Sequence, residues 1–297
     1  MPGSDTNGGA ALYSAVMIRC LLSCSLLSCA PLLLADDAAK AIPAMKWEPA
    51  FQGISRAEFT LTEPRPVRAF VMKIDLSAAG VEFMATPANG EKEGETDAQK
   101  TTTFLKSNHL QAAINAGPFA PVVNTEGRGL DISGLQVCRG EVVSPQQKHE
   151  YPTLVLTRDN KARIVPSLKK TEEVWNAVSG FSIVLHEGNV VSSGPDLHPR
   201  TAAGISADGR TLYWLVVDGR QKKWSGGATT SELGEWLKTM GCTEGLNLDG
   251  GGTSTLVMDS GKGPQILNKP IHLGLPGNER PSASHLGVKA LPLPVKP

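Results

Sequence analysis

The segment LDGGGTS (Leu248–Ser254) sets a carboxylate, Asp249, ahead of three consecutive glycines and two hydroxyls, Thr253 and Ser254. Gly250, Gly251 and Gly252 shield nothing, so backbone N–H groups there can turn toward an anion. That chemistry suits a phosphate oxygen or a sugar hydroxyl. A tight turn or bulge capped by aspartate is the plainer alternative, although one or two glycines would suffice for it. No Gly-Lys-Ser/Thr follows, which excludes a P-loop, and the spacing is not G-x-G-x-x-G.

Other segments carry matching chemistry. HPRT (His198–Thr201) and DGRQ (Asp218–Gln221) supply Arg200 and Arg220 beside Asp218. Guanidinium groups suit bidentate phosphate recognition, and a nearby carboxylate can serve as acid or base. Surface ion pairing at loop entries is the alternative. INAGPF (Ile114–Phe119) places Asn115 after an apolar run and before a Gly-Pro turn, where it either bonds a ligand or makes an Asx turn. GNERPSASHLGV (Gly277–Val288) brings Glu279, Arg280 and His285 to the last strand-like run. Histidine is the natural proton-transfer residue near neutral pH, though a lone one is often structural. His109, His149, His186, His198 and His272 stand without evident company. No G-x-S-x-G elbow, HExxH or CxxC is present, so neither that class of serine hydrolase nor a zinc site is indicated.

Positioning these residues falls to short strands. Runs at Val67–Ile74, Val81–Met84, Ala112–Asn115, Leu135–Val137, Thr153–Thr157 and Ile183–Leu185 have strand character. Thr101–His109 is a weak helix pattern. Thr229–Met240 is a stronger one, with Leu233, Trp236, Leu237 and Met240 on one face, a Thr229/Glu232 capping box and Gly241 as its stop. RTAAGISADGRTLYWLVVDGR reads as two strands joined at Asp208-Gly209. The helix and the strand Leu246–Leu248 follow. A right-handed strand–helix–strand unit would end both of its strands on one sheet edge, at Asp218–Arg220 and Asp249–Gly250, and the hairpin returns Arg200 to that edge. The pattern predicts an α+β (mixed α/β) fold, a single domain with a mixed β-sheet over residues 65–292.

The 297 residues carry 29 basic and 29 acidic side chains, a balance that argues against nucleic acid or an anionic membrane surface as partner. Residues 1–35 read as a secretory signal starting at Met17, with Arg19 ahead of an apolar run too interrupted for a membrane span. LLSC ending at Cys29 is an alternative lipoprotein-type site. Either way the expectation is export, periplasmic, extracellular or lipid-anchored. Residues 36–64 read as a linker. Of five cysteines, Cys20, Cys24 and Cys29 lie in the signal, leaving Cys138 and Cys242 either paired or as separate buried thiols.

In order, INAGPF, GFSIVLHEGNVV, PRTAAGISADGRTLYWLVVDGR, the Thr229–Gly241 helix, LNLDGGGTSTLVM and NERPSASHLGV resemble the phosphodiester glycosidase domain family, over about residues 65–290. That domain also occurs in bacterial exopolysaccharide-related proteins. The resemblance implies hydrolysis of a sugar-1-phosphodiester to free sugar and phosphomonoester. Carried over by motif are Asn115, Arg200, Asp218, Arg220, Asp249, Gly250, Gly251, Gly252, Thr253, Ser254, Arg280 and His285. Among them Asp249, Asp218 and His285 compete as catalytic acid or base, and the rest are expected to bind substrate. Pro118 departs from the pattern, standing where members commonly carry an aromatic residue. No cofactor is implied; the aspartates could hold Ca²⁺ or Mg²⁺, but no ligand spacing compels it. A non-catalytic glycan-binding or polysaccharide-assembly protein and a metal-dependent phosphoesterase are the competing readings.

Overall fold

The structure, a computed structural model, describes residues 42–147, 149–168 and 170–294. The signal and Cys29 lipidation expectations lie outside the described residues. The chain is mainly β, with two α-helices among the described residues, Thr101–Ser107 and Thr230–Thr239. The expected α+β class is corrected accordingly: apolar runs outnumber helical periods, and nearly all of them pair as strands.

An eight-stranded sheet runs in the order 48–51, 54–61, 67–75, 211–217, 200–206, 242–247, 182–186, 189–190. Every neighbouring pair in it is antiparallel. The residues read as a linker are therefore partly sheet. EPAF (Glu48–Phe51) forms its edge and ISRAEFTL (Ile54–Leu61) the next strand, on which Arg56 and Glu58 stay at least partly exposed. A second, five-stranded sheet has the order 264–266, 256–259, 112–115, 285–289, 82–85. A third, also of five strands, runs 141–144, 136–138, 176–179, 153–156, 162–165.

TLYWLVV (Thr211–Val217) is apolar and buried after Thr211 because both of its faces are covered. Leu212, Trp214 and Val216 enter a core shared by the three sheets. The alternate residues Tyr213, Leu215 and Val217 enter a second core beneath the Thr230–Thr239 helix. That helix buries Leu233, Trp236 and Leu237, and Trp236 meets Phe59 edge-on at 5.4 Å. Its start is the expected capping box, with Thr229 accepting from the Glu232 N–H, and it ends before Gly241 at φ 89°.

The strands 211–217 and 242–247 run in the same direction, but 200–206 lies between them. The expected crossover thus spans one intervening strand. Cys138 and Cys242 are free, buried thiols; burial raises them to about 11 and about 12. Among the described residues, no helix is long and apolar enough to cross a membrane.

Candidate active site

Sheet register brings the chemistry to one edge. Arg200 is paired with Val217 and Ala202 with Asn247, so the start of one strand meets the ends of two others. Asp218–Arg220 and the triple-glycine turn continue from those ends. Asn115, at the end of a strand in the second sheet, reaches the same place.

Asn115 is fully buried and spends its whole amide on protein partners. Its Nδ2 donates to the Asp249 carbonyl at 2.7 Å and to Thr253 Oγ1 at 3.1 Å. Its Oδ1 accepts from Thr201 Oγ1 at 2.7 Å and the Thr255 N–H at 3.2 Å. Its expected place among substrate-binding groups is therefore corrected. It is a strut that fixes the turn.

The three glycines answer three neighbours. A Cβ on Gly250 would stand 2.7 Å from the Pro199 carbonyl oxygen, closer than side chains tolerate. Gly251 has φ 70°, and its Cβ would meet Arg220 Nη1 at 3.1 Å. A Cβ on Gly252 would sit 3.2 Å from His272 Nδ1 and 3.3 Å from Arg280 Cδ. The bare backbone is thus the floor on which Arg220, His272 and Arg280 rest.

Asp249 lies at that floor, 8 % exposed. Its Oδ2 accepts from Thr253 Oγ1 at 2.8 Å and stands 3.5 Å from Arg280 Nη2. Burial pushes its carboxyl above the ordinary range, against the opposing pull of the Arg280 guanidinium and the Thr253 hydroxyl. Arg280 also donates to the Gly250 carbonyl at 3.4 Å and lies 5.8 Å from the centre of the Phe119 ring. Glu279 anchors it from behind, accepting from the Thr102 N–H and hydroxyl at 3.1 and 2.7 Å. Arg280 Nε and Ser254 Oγ are buried without a partner among the described residues. Buried donors left this way are costly unless a ligand accepts from them.

His198 and His272 join the site, although the sequence offers them no company. Both are held below the usual histidine range, first by burial and then by neighbouring arginines. A neutral His198 ring can accept at Nδ1 from Arg220 Nη2, 3.3 Å away. His272 Nε2 is 2.9 Å from Asn124 Oδ1. Arg200 is tethered: its Nε and Nη2 donate to the Ala228 and Asp196 carbonyls at 3.1 and 2.9 Å. A signal for the histidines does exist, since His198 opens the HPRT segment and His272 stands five residues before GNERPSASHLGV. Only the folded register shows that they meet.

Two expected catalytic groups are occupied elsewhere. The Asp218 carboxylate accepts from Trp224 Nε1, Asn268 Nδ2 and the Lys269 N–H, at 2.7 to 3.0 Å, and is 1 % exposed. With three donors fixing it and almost no exposure to solvent, Asp218 pins the 218–225 loop to residues 268–269. His285 is sealed in the core. It stacks on Phe104 at 4.9 Å, its Nδ1 lies 3.0 Å from Thr86 Oγ1, and burial lowers it to about 3. It pairs with Asn115 through backbone, yet its ring bonds no residue of the glycine turn. Thr253 is likewise buried, its hydroxyl committed to Asp249, Gly250 and Asn115. No group of three or more His, Cys, Asp or Glu side chains suited to a metal assembles among the described residues.

Known structures share this architecture. The catalytic domain of zebrafish N-acetylglucosamine-1-phosphodiester alpha-N-acetylglucosaminidase, auto-inhibited by its pro-peptide, superimposes with TM-score 0.61 at 17 % identity, covering 83 % of this chain and 88 % of that one. A hypothetical protein from Synechocystis gives 0.59 at 12 % identity, over 83 % and 64 % of the two chains. A Burkholderia pseudomallei protein described as exported gives 0.57 at 14 %, over 75 % and 74 %. No curated protein matches the chain. The phosphodiester glycosidase family model matches residues 108–289, a span that holds Asn115, the hairpin, the glycine turn and Arg280. By that match the chain belongs to the phosphodiester glycosidase family and is a glycosidase-type hydrolase.

Proposed function

We propose that the protein hydrolyses an α-glycosyl phosphodiester by breaking the bond between the anomeric carbon and the phosphate oxygen. The observation that carries this reading is the Asp249 carboxyl, raised by burial and set 3.5 Å from Arg280 on a bare glycine turn. Arg280 and Arg220 offer N–H donors for the non-bridging oxygens of the diester. Asp249 gives its proton to the bridging oxygen as the C1–O bond breaks, releasing the phosphomonoester. Water then bonds to C1, and the proton it loses returns to Asp249. The Phe119 ring, beside Arg280, supplies an apolar face for the sugar.

The zebrafish neighbour's name makes N-acetylglucosamine the first sugar to try. The signal-like pattern from Met17 supports export, as does the description of the Burkholderia neighbour. Intact mass of the secreted protein would locate the processed N-terminus or reveal a lipid on Cys29.

The test is hydrolysis of α-glycosyl phosphodiesters in ¹⁸O-labelled water. Label in the free sugar is the expected result. Label in the phosphomonoester would overturn C1–O cleavage and identify a phosphoesterase. Asp249→Asn retains an acceptor for Thr253 but carries no transferable proton, so its kcat should fall by about 10²–10⁴. Turnover near wild type in that variant would remove Asp249 from the reaction.

A further inference from the structure

Two surface segments border the site and meet at the His272–Asn124 contact of 2.9 Å. One is the hairpin Ile271–Pro276; the other is the segment 118–125, the short strand Phe119–Ala120 and the turn after it. Neither IHLGLP nor PFAPVVNT contains a charged side chain, in a sequence where 20 % of residues are charged. Both present apolar groups to solvent instead: Val122, Leu273 and Leu275 are 59 %, 66 % and 60 % exposed.

The hairpin breaks two local rules at one residue. His272 pairs directly with Leu275, so Leu273 and Gly274 are the two central turn residues. Both have positive φ, 54° and 74°, the arrangement for which asparagine–glycine is favoured. A leucine there is strained by its Cβ and exposed to water, and an asparagine would relieve both faults. Strain of this kind persists where a site uses it. The location is informative: His272, the next residue, lies against the place of a Gly252 Cβ at 3.2 Å. Leu275 shares a face of the hairpin with His272 because the two are directly opposed.

We propose that this uncharged rim receives a hydrocarbon chain esterified to the phosphate, which makes Leu273 and Leu275 specificity-determining for alkyl or isoprenoid glycosyl phosphodiesters. The inference rests on the phosphodiester reading above. A phosphate held at Arg280 directs its second ester oxygen away from the sugar and toward one of the site's borders. A saccharide aglycone beyond Phe119 would call for exposed polar partners, and an anionic one for cations. The outer rim presents Val122, Leu273 and Leu275 to solvent instead.

The experiment compares the decyl and methyl diesters of one α-sugar-1-phosphate, both below the micellar range. Wild type should favour the decyl ester in kcat/KM, mainly through KM. Leu273→Asn should lower the decyl-to-methyl ratio about tenfold, the scale of one withdrawn leucine contact. It should also hold or raise Tm, since it restores the turn's favoured residue, so misfolding does not account for the loss. Equal use of the two esters by wild type would overturn the proposal, as would an unaltered ratio in Leu273→Asn. A Leu273→Asn change that converts a dimer to a monomer by light scattering, with the ratio unaltered, would assign the rim to a second copy. Decyl phosphate binding by calorimetry separates the two readings. Decyl phosphate binding tighter than methyl phosphate in wild type but not in Leu273→Asn supports the rim even if no diester is cleaved. Equal binding overturns it.

Discussion

The guanidinium of Arg220 lies over the backbone of Gly251, so that a Cβ there would stand 3.1 Å from Nη1 and 3.3 Å from Nη2. Both residues have left-handed backbone, φ 57° for Arg220 and 70° for Gly251. Gly251→Ala should therefore cost about 1–2 kcal/mol of stability from its positive φ. It should also displace the far end of Arg220. The expected signature is a KM rise greater than the kcat fall for a glycosyl phosphodiester. A variant with unchanged KM would show that Arg220 does not hold substrate.

Asp218 and Asp249 should respond oppositely to the same change. Asp218→Asn turns an amide N–H₂ toward groups that are already donors, Trp224 Nε1 or the Lys269 N–H. About 1–3 kcal/mol should be lost, read as a Tm several degrees lower, with activity falling as the 218–225 loop shifts. Asp249→Asn should spare Tm while kcat falls by about 10²–10⁴. Equal Tm values for the two variants would contradict this division of roles.

Acid stability should carry the mark of His285. Unfolded, its ring takes a proton near the ordinary 6.5; folded, burial lowers it to about 3. Between those values the unfolded chain binds more protons, so stability rises with pH and is lost as pH falls. The slope from this one group is about 1.4 kcal/mol per pH unit. Denaturant titrations of wild type and His285→Gln should differ by that slope within the window. Parallel curves would show the ring to be less enclosed than described.

Cys138 and Cys242, raised by burial to about 11 and about 12, should not react with a thiol reagent until the protein unfolds. Reductant should leave Tm unchanged, because no bond joins them. Rapid labelling of the native protein, or a Tm that falls with reductant, would contradict this.

Much of the site was legible because it follows from strand direction alone. Asp208-Gly209 fixes the hairpin, the capping box at Thr229 fixes the helix, and together they deliver Arg200, Arg220 and Asp249 to one edge. What the sequence withheld is which atoms are spent. Asn115, Asp218 and Thr253 look like ligand groups by type, yet each is engaged by residues between 3 and 140 positions away. His285 sits in the right segment, but its surroundings come from Phe104 and Thr86 on other elements. The strands at 48–61 read as linker because the outermost strands of a sheet tolerate the polar residues that linkers also carry.

Asn115, at the end of a strand of the second sheet, ties the glycine turn to two sheets at once, through Asp249 and Thr253 on one side and Thr201 of the first sheet on the other. The accuracy of the site is therefore inseparable from the integrity of the whole molecule. Loosening the turn would mean prying the sheets apart, and no partial softening is available. Adaptation to a new substrate has its freedom elsewhere, in borders such as the Leu273 hairpin, which can vary without disturbing that joint.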